Sequence, residues 1–354
     1  MRTILTTVGT SLISNAKRDL TVEQPDDQQL AHYLRCTDAA KASAETNSLS
    51  RLLTEGDDRI VFLRSQTDEG KQCAEVLARH YENKGHETRV IEVPYLTYAE
   101  KSFKMRGLRS LVATLIDQIR REKAQGREVL INATGGFKAE IAYATLVGLL
   151  FDVPVYYIHE AFRDIIEMPP TPISWDYSLL ANCEEFFEWI DADLRPTAEV
   201  DTRLRGMPDE IRLLLAEEEG FTLLSPAGEA FYEAYRDRVA QAKPEPILLS
   251  AQAWDTYRSA ASEVRQLFDR ALKKLRLPEL RLSGSDRVRN CDCLVYPKGH
   301  RDERVFFFES EDGSVRVCEL ARHSDQSYER LITRGVRRDD YHDFQPWREG
   351  GGGA

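Results

Sequence analysis

The chain has 354 residues, of which 42% are hydrophobic and 30% charged, and its formal net charge is −11. That length lets two or three domains each bury a core, and no apolar run approaches the roughly 18 residues that would span a bilayer. The charge is uneven: Leu180–Ala240 holds fifteen Asp/Glu against six Lys/Arg, whereas Leu248–Trp347 holds seventeen against eighteen. A polyanion is therefore repelled by the middle of the chain and tolerated toward its C-terminal end.

In chain order, residues 1–176 alternate strand and helix signals. Predicted strands are Thr3–Val8, Arg59–Leu63, Thr88–Val93, Glu128–Ile131 and Val153–Ile158. Between them lie helical patterns at Asp27–Leu53 (one or two pieces), Asp68–Lys84, Lys104–Glu122 and Lys138–Leu150. Strands separated by crossovers of helix length predict a parallel, doubly wound sheet, and such sheets bind ligands beyond the carboxyl ends of their strands. Those ends carry TVGTSL (Thr7–Leu12), RSQTDEG (Arg64–Gly70) and INATGGFKAEI (Ile131–Ile141). The opening MRTILTTVGT passes directly into a strand-like segment, so a cytoplasmic protein without a signal peptide is expected. DIIEMPPTPISWD (Asp164–Asp176) reads as an extended excursion with proline breakers that ends this domain.

Residues 177–245 read as helical and then as Phe221 and Leu223 in alternation, a Ser-Pro helix start at Ser225 and an amphipathic helix. The order resembles a winged helix, but a net charge of −9 over Leu180–Ala240 argues against DNA, and a connector is expected. In residues 246–347 a helical stretch, Ala251–Leu275, precedes strand-like runs at Cys291–Tyr296, Arg304–Glu309 and Val315–Leu320, the last two joined by a turn at Asp312–Gly313. This predicts a small α+β unit with an antiparallel sheet. Residues 348–354 are expected to be a disordered tail.

The Gly135–Gly136 turn and the helix behind it supply backbone N–H groups to an anion. Lys138 can neutralise a phosphate, and Thr10, Ser11 and Thr134 can donate to phosphate or ribose oxygens. The segments TVGTSLISN, SQTDEGKQCAEVL, NATGGFKAEIAYATLVGLL and IIEMPPTPISWD, in this order, resemble the CARF domain of type III CRISPR ancillary effectors. The resemblance implies a Rossmann-like, dimeric sensor of cyclic oligoadenylate, with Thr10, Ser11, Asn15, Lys138 and the Gly135–Gly136 backbone facing the ligand across a two-fold axis. Cyclic tetra-adenylate matches that symmetry. Some members of the family also cleave their ligand slowly, so ring nuclease activity is a further expectation.

The C-terminal stretch RVFFFESEDGSVRVCELARHSDQSYERL (Arg304–Leu331) resembles the last strands of RelE-family toxins, which are metal-free ribonucleases that cut mRNA in the ribosomal A site. The family pattern falls on Arg304, the Asp312–Gly313 turn, Val315–Leu320, Arg322–His323 and Tyr328. Cleavage by the RNA's own 2′-hydroxyl needs cations at the phosphate and a proton shuttle. Arg304 and Arg322 suit the phosphate, Tyr328 suits stacking or proton transfer, and Lys298, His323 or His300 suits the base. The whole reads as an α/β Rossmann-like CARF domain (1–176), a winged-helix-like connector (177–245) and a C-terminal α+β RelE-like domain (246–347). It would act as a cyclic oligoadenylate-activated, ribosome-dependent endoribonuclease, a homodimer reaching mRNA with help from a ribosomal protein. No DNA, membrane, cofactor or metal is expected. Six scattered cysteines (Cys36, Cys73, Cys183, Cys291, Cys293, Cys318) fit reduced thiols, mostly in cores. Two alternatives are a ligand-gated transcription regulator and a CARF–HEPN ribonuclease, the latter prompted by the Arg337-x4-His342 spacing; Arg79-x6-His86, inside the sensor, is read as chance.

Overall fold

The computed structural model describes residues 1–54, 57–97, 103–158, 164–299 and 301–348. The expected tail, beyond Arg348, and His300 lie outside the described residues. Among the described residues, no helix is long and apolar enough to cross a membrane. The chain divides into two units, Met1–Ile173 with Ile190–Ala234 and Ser174–Trp189 with Tyr235–Ala354.

The first unit is built on strands β1 (Arg2–Val8), β2 (Arg59–Arg64), β3 (Glu87–Glu92), β4 (Glu128–Asn132), β5 (Val155–Tyr157) and β6 (Ile166–Met168). Their order across the sheet is β3-β2-β1-β4-β5-β6. The first five pair in parallel, with Thr3 opposite Arg59 and Val129. β6 turns back antiparallel on β5, so the expected extended excursion is an edge strand. β1 is buried on both faces from Thr3 to Val8, so RTILTTV shows no alternation of apolar and charged residues, its interior being Ile, Leu and β-branched Thr. Helices at Ser11–Leu20, Asp27–Cys36, Ala39–Ala42, Ala44–Leu52 and Asp68–Glu82 pack Leu12, Leu30, Leu49, Cys73 and Leu77 on the sheet's Ile4, Ile60 and Phe62. The Asp27–Leu53 pattern is thus three helices, because Asp38 and Ser43 each cap a new one.

The same unit holds a three-stranded antiparallel sheet, β7 (Arg195–Pro196), β8 (Leu215–Glu218) and β9 (Phe221–Leu224), in the order β7-β9-β8. Between β7 and β8 lie the helix Thr197–Arg203 and a 3-10 turn, Asp209–Leu214.

The second unit carries β10 (Ile247–Leu249), β11 (Asp286–Arg287), β12 (Leu294–Tyr296), β13 (Glu303–Glu309), β14 (Val315–Arg322) and β15 (Gln345–Pro346), in the order β11-β12-β13-β14-β10-β15. Its strands are antiparallel except that β10 runs parallel to β14, which corrects the expected purely antiparallel sheet. The predicted turn lies between β13 and β14, with Gly313 at φ +79°, a left-handed conformation that glycine adopts without steric cost. The Ala251–Leu275 pattern is two helices, Ala251–Ser259 and Ser262–Leu275. The second buries Phe268, Ala271, Leu272 and Leu275, the 3.6-residue stripe of an amphipathic helix, against Val305, Phe307 and Val317.

Candidate functional site

In the first sheet β1 is the first strand of the chain and lies between β2 and β4. The strand order reverses there, and the crevice outside the carboxyl ends of β1 and β4 is where such sheets take ligands. β1 runs into Gly9 and the helix Ser11–Leu20; β4 runs into Thr134–Phe137 and the helix Lys138–Leu150. The two loops are nested. A Cβ on Gly9 would stand 2.8 Å from the Gly136 nitrogen, and one on Gly135 would stand 2.5 Å from the Thr7 carbonyl oxygen. The Thr7 hydroxyl donates to the Gly135 carbonyl at 2.6 Å and stitches them together.

Behind the loops sits a carboxylate that sequence reasoning missed. Glu45, at the start of the Ala44–Leu52 helix, is fully buried. It accepts the Gly9 N–H at 2.8 Å and the Ser11 hydroxyl at 3.3 Å, and burial pushes its pKa up despite those donors. Its only trace in the sequence is an acid among small residues in SAETNSLS.

The predicted ligand residues divide by what their polar atoms already do. The Ser11 hydroxyl accepts the Ala44 N–H at 3.0 Å besides donating to Glu45. Asn15 donates to the carbonyls of Lys41 and Ala42 at 3.2 and 3.3 Å. The Thr134 hydroxyl donates to Asn132 Oδ1 at 2.8 Å and accepts the Ile158 N–H at 3.3 Å. These three brace the loops. Thr10 makes no side-chain cap, Gly135 is buried, and Gly136 and Lys138 are exposed at the mouth. The first N–H groups of the Lys138–Leu150 helix have no acceptor within it, so Lys138 and that helix end form a cationic, donor-rich rim.

Glu140 closes the rim from below. It is buried, and its Oε1 accepts the Phe137 N–H at 3.2 Å. Burial raises its pKa from 4.5 to about 7 against that bond. A carboxyl whose folded pKa lies above its unfolded one contributes stability at low pH, and the contribution is lost as pH rises through the folded value. Stability should therefore fall by about 3 kcal/mol between pH ~4.5 and ~7 from this group. Glu140→Gln keeps the cap, so its melting temperature should exceed the wild type's at pH 8 and match it at pH 5, as thermal melts at the two values would check.

In the second unit Arg304, on β13, is 3% exposed. Its guanidinium donates to the carbonyls of Glu303 and Gly299 and lies 5.5 Å from the centre of the Tyr328 ring. Burial lowers its pKa, while Tyr328 and Glu303 oppose that. The Tyr328 ring packs at 5.8 Å on Phe306 and at 4.4 Å, edge on, against His323. His323 Nδ1 meets Glu329 Oε1 at 2.8 Å. Arg322 Nε donates to Asp302 Oδ2 at 2.7 Å. Burial pushes the Asp302 carboxyl up, but the Ser324 N–H and Arg322 outweigh it and hold the pKa below its ordinary value. Lys298 Nζ donates to Asp176 Oδ2 at 2.7 Å. Arg304, Tyr328 and His323 thus form one cluster, Arg322 ends β14 one residue before His323, and Lys298 is engaged by Asp176, 122 positions away in the chain.

All six cysteines are free: Cys73, Cys293 and Cys318 are buried, Cys183 and Cys291 half-buried and Cys36 exposed. Among the described residues no group of three His, Cys, Asp or Glu is placed to hold a metal ion.

Residues 40–171 match the model of a family described as a CRISPR-associated protein, Cas_APE2256. The first unit is similar to a CRISPR-associated protein. The CRISPR-associated match includes Glu45, the Thr134–Lys138 loop and Glu140, and begins after Thr10, Ser11 and Asn15. Among solved structures, protein VC1899 from Vibrio cholerae is 12% identical, with 68% of each chain covered and a TM-score of 0.26. Can2 from Sulfobacillus thermosulfidooxidans, solved in complex with cyclic tetra-adenylate, is 11% identical, with 90% of this chain and 78% of that chain covered and a TM-score of 0.25. At those TM-scores neither likeness bears on the sites.

Proposed function

We propose that the chain is a cyclic oligoadenylate-gated, metal-independent endoribonuclease of type III CRISPR defence, acting as a homodimer on mRNA in the ribosomal A site. The observation that carries the sensor half is the pair of nested glycine loops at the strand-order reversal, rimmed by Lys138 and a helix N-terminus, within a stretch similar to a CRISPR-associated family. An isologous pair of such rims presents the same donors to both halves of a cyclic tetra-adenylate. The output half is supported by Arg304, Tyr328 and His323 meeting in one cluster, with Arg322 ending β14 one residue before His323. That is an inventory for stabilising a phosphorane and moving a proton without a metal.

A transcription regulator needs a basic recognition surface. The three-stranded sheet supports a winged-helix-like connector, but the segment ahead of its hairpin is a short 3-10 turn carrying Asp209 and Glu210, and the hairpin carries Glu217 and Glu218. The HEPN alternative rests on Arg337 and His342, which flank a 3-10 turn, Arg338–Asp340, in a unit built on a sheet.

Calorimetric titration with cyclic tetra-adenylate tests the sensor: one ring per two chains is expected, with linear tetra-adenylate markedly weaker. Absence of heat with rings of any size would sink the sensor reading.

A further inference from the structure

Of the candidate bases, Lys298 is engaged by Asp176, and His323 is built into a fixed array. The array starts from a stitched turn. The Ser327 hydroxyl accepts the Arg322 N–H at 2.8 Å and donates to the Arg322 carbonyl at 3.2 Å, while Asp325 Oδ1 accepts the Ser327 N–H at 2.9 Å. Gln326 takes a left-handed φ of +61° to make the turn. The Asp302 carbonyl accepts the His323 N–H at 2.9 Å. These bonds fold the first turn of the Ser327–Arg334 helix back over the end of β14. They bring the Tyr328 ring edge on to the imidazole at 4.4 Å and Glu329 Oε1 to its Nδ1 at 2.8 Å.

We propose that Glu329 is the positioning residue of the ribonuclease: it fixes His323 as the Nδ1–H tautomer and leaves Nε2 as the base that takes the 2′-hydroxyl proton. This rests on the ribonuclease reading above. Which ring nitrogen carries the proton is set by the hydrogen bond the other side makes, and here a carboxylate, an acceptor only, faces Nδ1. No other partner contacts the imidazole nitrogens among the described residues, so Nε2 is open. In the step itself Nε2 takes the 2′-hydroxyl proton, the 2′-oxygen bonds to phosphorus and the P–O5′ bond breaks. The products are a 2′,3′-cyclic phosphate and a 5′-hydroxyl whose proton comes from water; the imidazolium then returns its proton to the resulting hydroxide. Arg322, one residue earlier on β14, and Arg304, on the far side of Tyr328, bring the cationic charge that the phosphorane needs.

The test uses the full chain with ¹⁵N-labelled histidine, with the His323 signals assigned through His323→Gln, alongside single-turnover cleavage of ribosome-bound mRNA with cyclic tetra-adenylate. Glu329→Ala is expected to redistribute the His323 tautomer toward Nε2–H and to slow cleavage about 10- to 100-fold, with melting unchanged because the carboxylate is exposed. Glu329→Gln keeps an acceptor at Nδ1, so it should recover most of the rate; a role through charge alone would leave it no better than alanine. Wild-type rate in Glu329→Ala, or a rate loss without any tautomer change, overturns the positioning role alone. A wild-type chain that shows the Nδ1–H tautomer yet leaves mRNA intact overturns the ribonuclease reading, and this role with it.

Discussion

Arg322→Ala should lower activated mRNA cleavage by about 10²- to 10³-fold, the loss that follows removal of one preorganised donor from a developing oxyanion. Arg322 ends β14, and its guanidinium is oriented by Asp302, which the Ser324 N–H at 2.7 Å and hydroxyl at 3.0 Å hold in turn. The fork therefore waits in a defined direction, and a phosphate can replace Asp302 on it. Arg322→Lys keeps the charge and loses the two-pronged geometry, so it should fall between wild type and alanine. The fold should survive each change. The Arg322–Asp302 pair is part-exposed, and such pairs contribute about 0–1 kcal/mol. Single-turnover cleavage and a melting curve on the same preparations separate the two effects. Wild-type cleavage by Arg322→Ala would remove this residue from the site.

Gly135→Ala should cost about 10²-fold or more in affinity for cyclic tetra-adenylate, the scale that a displacement of about 1 Å brings to a set of converging groups. The added Cβ would stand 2.3 Å from Glu45 Oε1, 2.5 Å from the Thr7 carbonyl oxygen and 3.0 Å from the Gly9 nitrogen. Two of the three are backbone atoms, and the third belongs to a fully buried carboxylate, so no flexible side chain can swing aside. Both loops must part, which carries the Gly136 and Lys138 donors away from their common target. Overpacking of this kind costs about 1–3 kcal/mol of stability, so melting should fall while the fold persists. Titration of the folded variant is the check, and unchanged affinity would show that the nested loops do not hold the ligand.

Much of the first sheet was legible because buried parallel strands leave apolar runs and glycines mark the turns where chains approach closely. The Lys138–Leu150 helix was predicted with its observed bounds, since FKAE starts it and apolar residues fill it. Glu45 was not legible: in sequence it is one more acid in a helical first turn, and only the tertiary fold sets it behind Gly9 and Gly135. Ser11, Asn15 and Thr134 illustrate the same limit. Their residue types suit a phosphate site, but their hydroxyl and amide groups are spent on neighbouring backbone and on Glu45 or Asn132. In the second unit the strands around Asp312–Gly313 were evident from alternation and turn chemistry. β10, three residues long between helical stretches, carried no periodic signal, and its parallel partner β14 lies more than sixty residues on. The ion pairs of Lys298 with Asp176 and of Arg322 with Asp302 likewise join residues 122 and 20 positions apart, a distance no local pattern reports.

The central claim, that a cyclic nucleotide switches on cleavage in the ribosome, is tested most directly by in vitro translation with and without cyclic tetra-adenylate, mapping the 3′ ends of the mRNA. The expected result is cuts in the A-site codon that appear with the activator and disappear with Arg322→Ala. Intact mRNA in the presence of the activator, or equal cutting of the same RNA without ribosomes, would contradict it.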